Sequence, residues 1–191
     1  MWLHKNKDDF TEAVQAVSRG LNISPALIEK DYYVTLVLKR INEEISGLIF
    51  KGGTSLSKCH KAINRFSEDI DLTLDSEHLT EGQRKIVKPT IVKICDELGL
   101  TINNLENTRS RRDYNCYQIS YPLLFENDEI DPVIKAETVF IQECYPEEVK
   151  TADSLIGEWL KANGFAKQAE EYGLIPFDIH VQTMERTLVD K

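Results

Sequence analysis

A chain that turns on two consecutive glycines and then places acidic residues two apart in an apolar run has few ways to fold. The stretch here is Phe50-Lys51-Gly52-Gly53-Thr54-Ser55-Leu56, followed by Arg65-Phe66-Ser67-Glu68-Asp69-Ile70-Asp71-Leu72. It reads as a short strand, a Gly-Gly turn, a helix, a tight turn and a second strand. Residues two apart on a strand share a face, so Asp69 and Asp71 project side by side. Paired carboxylates repel one another unless a cation sits between them, and a hard divalent ion with oxygen ligands is the usual solution. Upstream, Gly52 and Gly53 let the backbone turn closely, and Thr54 or Ser55 can cap the helix that follows. The open N–H groups of a helix start attract anions. A phosphate seat beside a metal seat implies chemistry on a nucleoside triphosphate.

Composition narrows the setting. The chain has 191 residues, 41% hydrophobic and 29% charged, which suits one soluble domain with a proper core. Its net charge of −9 argues against coating nucleic acid through bulk charge, so RNA or DNA would have to meet a local basic patch. Cys59, Cys95, Cys116 and Cys144 are far apart and form no zinc framework, which fits reduced thiols in the cytosol. Met1-Trp2-Leu3-His4-Lys5 turns charged at once and lacks an apolar signal core. No run approaches the roughly 18 apolar residues of a membrane span. The expectation is a cytoplasmic protein with no membrane partner.

Periodicity predicts a short helix over 8–19, ended by Gly20, with Phe10, Val14 and Val17 on its apolar stripe. Ser24-Pro25 opens a longer helix to about residue 44, with Leu27, Val34, Leu38 and Ile41 inward. Glu29, Lys30 and Asp31 fall in its early turns, either as a solvated or capping cluster or beside the active site. Strands are expected at 48–51, 69–74, 100–105, 114–121 and 133–140. Helices are expected at 54–63 and at 80–98, the latter kinked by Pro89, with Ile86, Ile91 and Leu98 in the core. Beyond 150 the pattern becomes helical at 152–163 and about 167–172, extended over 173–181, and helical again from Thr183.

The two runs quoted at the outset, taken in their order and spacing, resemble the polymerase-β-like nucleotidyltransferases, and more narrowly the AbiEii-type toxins of abortive-infection and toxin–antitoxin systems. Ile28-Glu29-Lys30-Asp31-Tyr32-Tyr33-Val34 and Glu185-Arg186-Thr187-Leu188-Val189-Asp190-Lys191 also resemble that family, so the likeness runs from about residue 24 to the last. It implies an α/β (α+β) fold with a small mixed, twisted sheet and flanking helices. Residues 1–150 would form the nucleotidyltransferase core, and 151–191 the start of a helical segment that family members continue. The chain is therefore expected to be a short or truncated member.

The resemblance also assigns roles. Asp69 and Asp71 would bind the catalytic Mg2+ (or Mn2+), with Glu137 as the third carboxylate. An edge-strand glutamate bridged to Lys135 is the structural alternative for Glu137. Lys51, Gly52, Gly53, Thr54 and Ser55 would cradle the phosphates of the substrate NTP, and Lys191 would contact them as well. Lys58, Lys61 and Arg65 at helical spacing, with Arg109, Arg111 and Arg112 near Tyr114 and Tyr117, could meet RNA or simply be solvated surface. The implied reaction moves a nucleoside monophosphate to an RNA end, tRNA-like, or to a protein hydroxyl, in a toxin held in check by a cognate antitoxin. A non-catalytic nucleotide- or antitoxin-binding remnant is the other reading. A metal-dependent phosphodiesterase would normally add clustered histidines, and His4, His60, His78 and His180 are scattered.

Overall fold

The computed structural model describes residues 1–63, 69–75, 77–110, 112–140 and 144–190. Apolar residues at helical spacing near the start give α1 (Lys7–Leu21) and α2 (Pro25–Glu44). Helix α1 continues through Gly20 and ends where Asn22 adopts φ 55°, a left-handed cap that asparagine tolerates better than most residues. Proline at the first position starts α2 as expected. Its burial is not one-sided, however. Every residue from Ile28 to Leu38 is buried, so the helix runs through the interior rather than along its surface.

Strand β1 (Leu48–Lys51) leads directly into the short α3 (Gly52–Lys58), and β2 (Asp69–Leu74) follows. Helix α4 (Glu81–Leu98) is capped by the Thr80 hydroxyl, which accepts from Gln83 N, and closes on Gly99 at φ 74°. It passes Pro89 without a break. Lys85 and Pro89 are both exposed, so the carbonyl that proline leaves without an N–H partner faces water. Ile86 is 43% exposed rather than in the core, and Val87, Ile91, Ile94, Cys95 and Leu98 form the inward face. The strand expected at 100–105 shrinks to β3 (Thr101–Ile102), followed by β4 (Tyr114–Ser120) and β5 (Val133–Val139). A strand not read from the sequence, β6 (Glu147–Ala152), precedes α5 (Leu155–Ala162), α6 (Ala166–Glu171), β7 (Phe177–Gln182) and α7 (Met184–Val189).

The seven strands among the described residues form one mixed sheet in the order β3-β4-β5-β2-β1-β7-β6. Neighbours β2/β5 and β1/β7 are parallel, and the other pairs are antiparallel. The stretch beyond residue 150 is thus not only helical, because β7 sits inside the sheet against β1. Alternation decides which face is dry. Phe50, Ile70, Leu72, Ile134, Ala136, Tyr117, Ile119, Ile179 and Val181 are buried and join α1, α2, α4 and α5 in one core. The residues between them on β2, β4 and β5 look the other way and carry the polar groups.

Candidate active site

The register lines the polar face up in rows. Asp71 lies opposite Lys51 of β1 on one side and Glu137 of β5 on the other, and Glu137 lies opposite Cys116 of β4. One step along, Asp69 pairs with Lys135, which pairs with Gln118. Directly opposed residues share a face, so Asp69, Asp71 and Glu137 are neighbours on the open side of the sheet. Asp69 is exposed at the start of β2, while Asp71 and Glu137 are half-buried. Among the described residues no ion pair joins Lys135 to Glu137, which leaves the salt-bridge alternative without support.

The Gly-Gly turn closes on this row. Gly52 has φ +76°, and a Cβ built there would lie 1.8 Å from Asp71 Oδ2. Both the backbone and the close carboxylate therefore demand glycine. Helix α3 starts at Gly52 itself, with Lys51 as a cap that makes no side-chain bond. Thr54 and Ser55 thus lie inside the helix instead of capping it. Both are buried, and the Ser55 hydroxyl donates to Gly52 O at 2.8 Å, bracing the turn from within. Gly52 and Gly53 remain half-buried at the opening.

The carboxylates make a local negative field. Burial raises the Cys116 thiol first, and the charges of Glu137 and Asp69 raise it further. Burial and then Glu137 push the Tyr114 phenol up to about 12. Three hard oxygen donors on adjacent strands fit a divalent cation in type. They share a face without yet converging, since among the described residues no three His, Cys, Asp or Glu side chains are arranged to hold an ion as they stand.

The basic residues distribute differently from their sequence spacing. Lys58 is not on a nucleic-acid face. It is 8% exposed, and its ammonium donates to Asp31 Oδ1 at 2.6 Å, Thr35 Oγ1 at 2.7 Å and Asp153 O at 3.2 Å. Helix α3 ends at Lys58, so Lys61 no longer shares its face. Lys61 has φ 53° and pairs on the surface with Glu158 at 2.7 Å. Arg112 is exposed and Tyr114 is 51% exposed. Arg65, Arg111 and Lys191 lie outside the described residues. Of the scattered histidines, His60 meets Gln182 O through Nε2 at 2.9 Å, tying the end of α3 to β7. In the terminal segment Arg186 pairs with Asp190, the C-cap of its helix, at 3.1 Å, and Thr187 is buried against Gln182.

Glu29, Lys30 and Asp31 are neither solvated nor caps. The Glu29 carboxylate accepts from Leu124 N and Phe125 N, both at 3.0 Å, and Lys30 donates to Asp131 O at 2.5 Å. Asp31 holds Lys58 with one oxygen and accepts from Leu155 N at 2.7 Å with the other. Three consecutive charges within the apolar run 26–38 of α2 were the signal, since such groups enter an interior only with partners.

The family model for the nucleotidyl transferase AbiEii toxin, Type IV TA system, matches residues 37–191, and the chain belongs to that family. Among solved structures it is similar to MenT4, a nucleotidyltransferase toxin from Mycobacterium tuberculosis H37Rv, at 20% identity and a TM-score of 0.45. That match covers 72% of this chain and 47% of the other, so this chain spans about half the length of that relative. No curated protein matches. No helix among the described residues is long and apolar enough to cross a membrane.

Proposed function

We propose that this chain transfers a nucleoside monophosphate from an NTP to a hydroxyl acceptor, an RNA end or a protein side chain, as the toxin of a toxin–antitoxin pair. The observation that carries the reading is the closure of the Gly52-Gly53 turn onto Asp71, within a row that also holds Lys51 and Glu137. Asp69, Asp71 and Glu137 would hold Mg2+ or Mn2+. When bound, such ions neutralise the triphosphate and favour the deprotonated form of the attacking hydroxyl. The turn amides at Gly52 and Gly53 would face the phosphates, and Lys51 would add a point charge beside them. Lys191 completes this set by family resemblance, and the buried Ser55 supports the turn rather than touching substrate.

Family membership implies a cognate antitoxin. The exposed Arg112 and Tyr114 beside the row suit an RNA acceptor through phosphate contact and stacking, which favours RNA over a protein hydroxyl. The test is label transfer from each of four α-labelled NTPs, with magnesium and total bacterial RNA, alongside Asp69→Ala/Asp71→Ala. A labelled product lost in the double variant establishes the reaction and names the nucleotide. Persistent transfer in that variant overturns the assignment of the carboxylates, and NTP binding without transfer identifies a binding remnant instead.

A further inference from the structure

Helix α3 carries the Gly-Gly turn but has only seven residues and no side-chain cap. A helix that short does not hold itself in water. Its far end is fixed by the Lys58 ammonium, which reaches α2 at Asp31 and Thr35 and the backbone of Asp153 ahead of α5, with the His60 ring on Gln182 O just beyond it. The Lys58 and Asp31 side chains are 8% and 7% exposed, so neither charge has water to fall back on. Asp31 in turn accepts from Leu155 N, at the first turn of α5. One carboxylate therefore fastens α2, α3 and α5 at a single point, and the Gly52-Gly53 turn lies at the other end of that helix, where β1 delivers it beside Asp71.

We infer that Lys58 and Asp31 act as a pair of positioning residues for the nucleotide's phosphates, holding the Gly-Gly turn against Asp71 through the length of α3. Neither residue touches substrate. This role rests on the proposed nucleotidyl transfer, but its mechanical part does not. If Lys58 is the anchor, removing it frees the turn before it frees the sheet.

The experiment compares wild type, Lys58→Met, and Asp31→Asn/Lys58→Met, the last keeping an acceptor for Leu155 N while burying no unpaired charge. Amide hydrogen exchange is read at residues 52–57 and on β2 and β5, at a temperature where circular dichroism shows every protein folded. Binding of each NTP with magnesium is measured by calorimetry on the same samples. Exchange at 52–57 should rise at least about tenfold with β2 and β5 unchanged, and NTP affinity should fall about tenfold or more. Because the two residues act as a unit, the double variant should lose no more affinity than the single one. Wild-type exchange at 52–57 in both variants overturns the inference, whatever the binding result. Faster exchange with undiminished NTP affinity overturns the phosphate role. Failure of wild type to bind any NTP overturns the proposed function, and exchange alone then decides the anchor.

Discussion

Replacing Gly52 by alanine separates the demands of backbone and site. A side chain at φ +76° costs about 1–2 kcal/mol, because the left-handed region crowds Cβ against the neighbouring carbonyl. The new methyl would also stand 1.8 Å from Asp71 Oδ2, where real Cβ contacts essentially never fall below 3.0 Å. The carboxylate must therefore retreat by about 1.2 Å, the difference between those two distances. It is the end of a flexible side chain, so the fold should survive. The melting temperature should fall by about 2–8 °C for a chain of this size. A displacement of about 1 Å in a reacting constellation costs on the order of 100-fold in rate, and nucleotidyl transfer should drop by about that factor. The assay is label transfer together with thermal melts, with Gly53→Ala as the backbone control. Gly53 has no positive φ and lies in helix, so alanine there carries none of the backbone cost expected at Gly52. Wild-type stability and transfer in Gly52→Ala would refute the reasoning, by showing that Asp71 does not lie on the turn.

Three further outcomes follow from buried groups. Asp31→Ala leaves the Lys58 ammonium inside without its carboxylate, and urea unfolding should register a loss of about 3–5 kcal/mol, whereas a loss below about 1 kcal/mol would mean that the pair is solvated. His4 meets Leu98 O through Nε2 and the Tyr32 hydroxyl through Nδ1, and burial holds its imidazole below the ordinary 6.5. The folded state then binds fewer protons than the unfolded chain between the depressed value and 6.5, so this stability is complete above about pH 6.5 and drains away as pH falls through that window. Urea melts across pH 5–7 should show a shallower acid limb in His4→Gln, and identical limbs would sink the assignment. Burial raises Cys59 to about 11 and Cys95 to about 12, while Cys116 is only half-buried, so a thiol reagent on native protein at pH 8 should modify Cys116 first, as peptide mapping would show.

The Asp69–Asp71 pair was legible in the sequence because it is local. Alternation placed Asp69 and Asp71 on one face, whereas Glu137 entered through the family resemblance. What sequence could not supply was register, which alone sets Glu137 beside Asp71 and Lys51 on its other side. Lys58 was misread for the same kind of reason. Its spacing from Lys61 and Arg65 is helical, but the helix ends at Lys58, and the partner that draws it inward is 27 residues away on α2. Strand β6 escaped notice because Glu147, Glu148 and Lys150 make it polar, as suits a strand at the sheet's edge. Single-face patterning likewise failed for α2, since a helix buried on all sides has no polar stripe to reveal its period.

The charges within α2 explain how an interior helix can organise a site that it does not line. Successive residues on a helix point about 100° apart, so Glu29, Lys30 and Asp31 leave it in three directions. Glu29 takes the amides at 124 and 125, and Lys30 takes the carbonyl at 131, in the connection that delivers β5. Asp31 takes α3, which carries the turn. Leucines at these positions would bury as much surface, but apolar contact is non-directional and would accept many settings of both segments. A buried ion has fewer choices: each lost partner leaves a group that water cannot reach. The two halves of the row, Glu137 on one side of Asp71 and the Gly-Gly turn on the other, are thus referred to one rigid element. Their spacing is set by hydrogen bonds rather than by packing alone, which is what the proposed transfer would require of a metal-holding carboxylate and a turn amide facing one triphosphate.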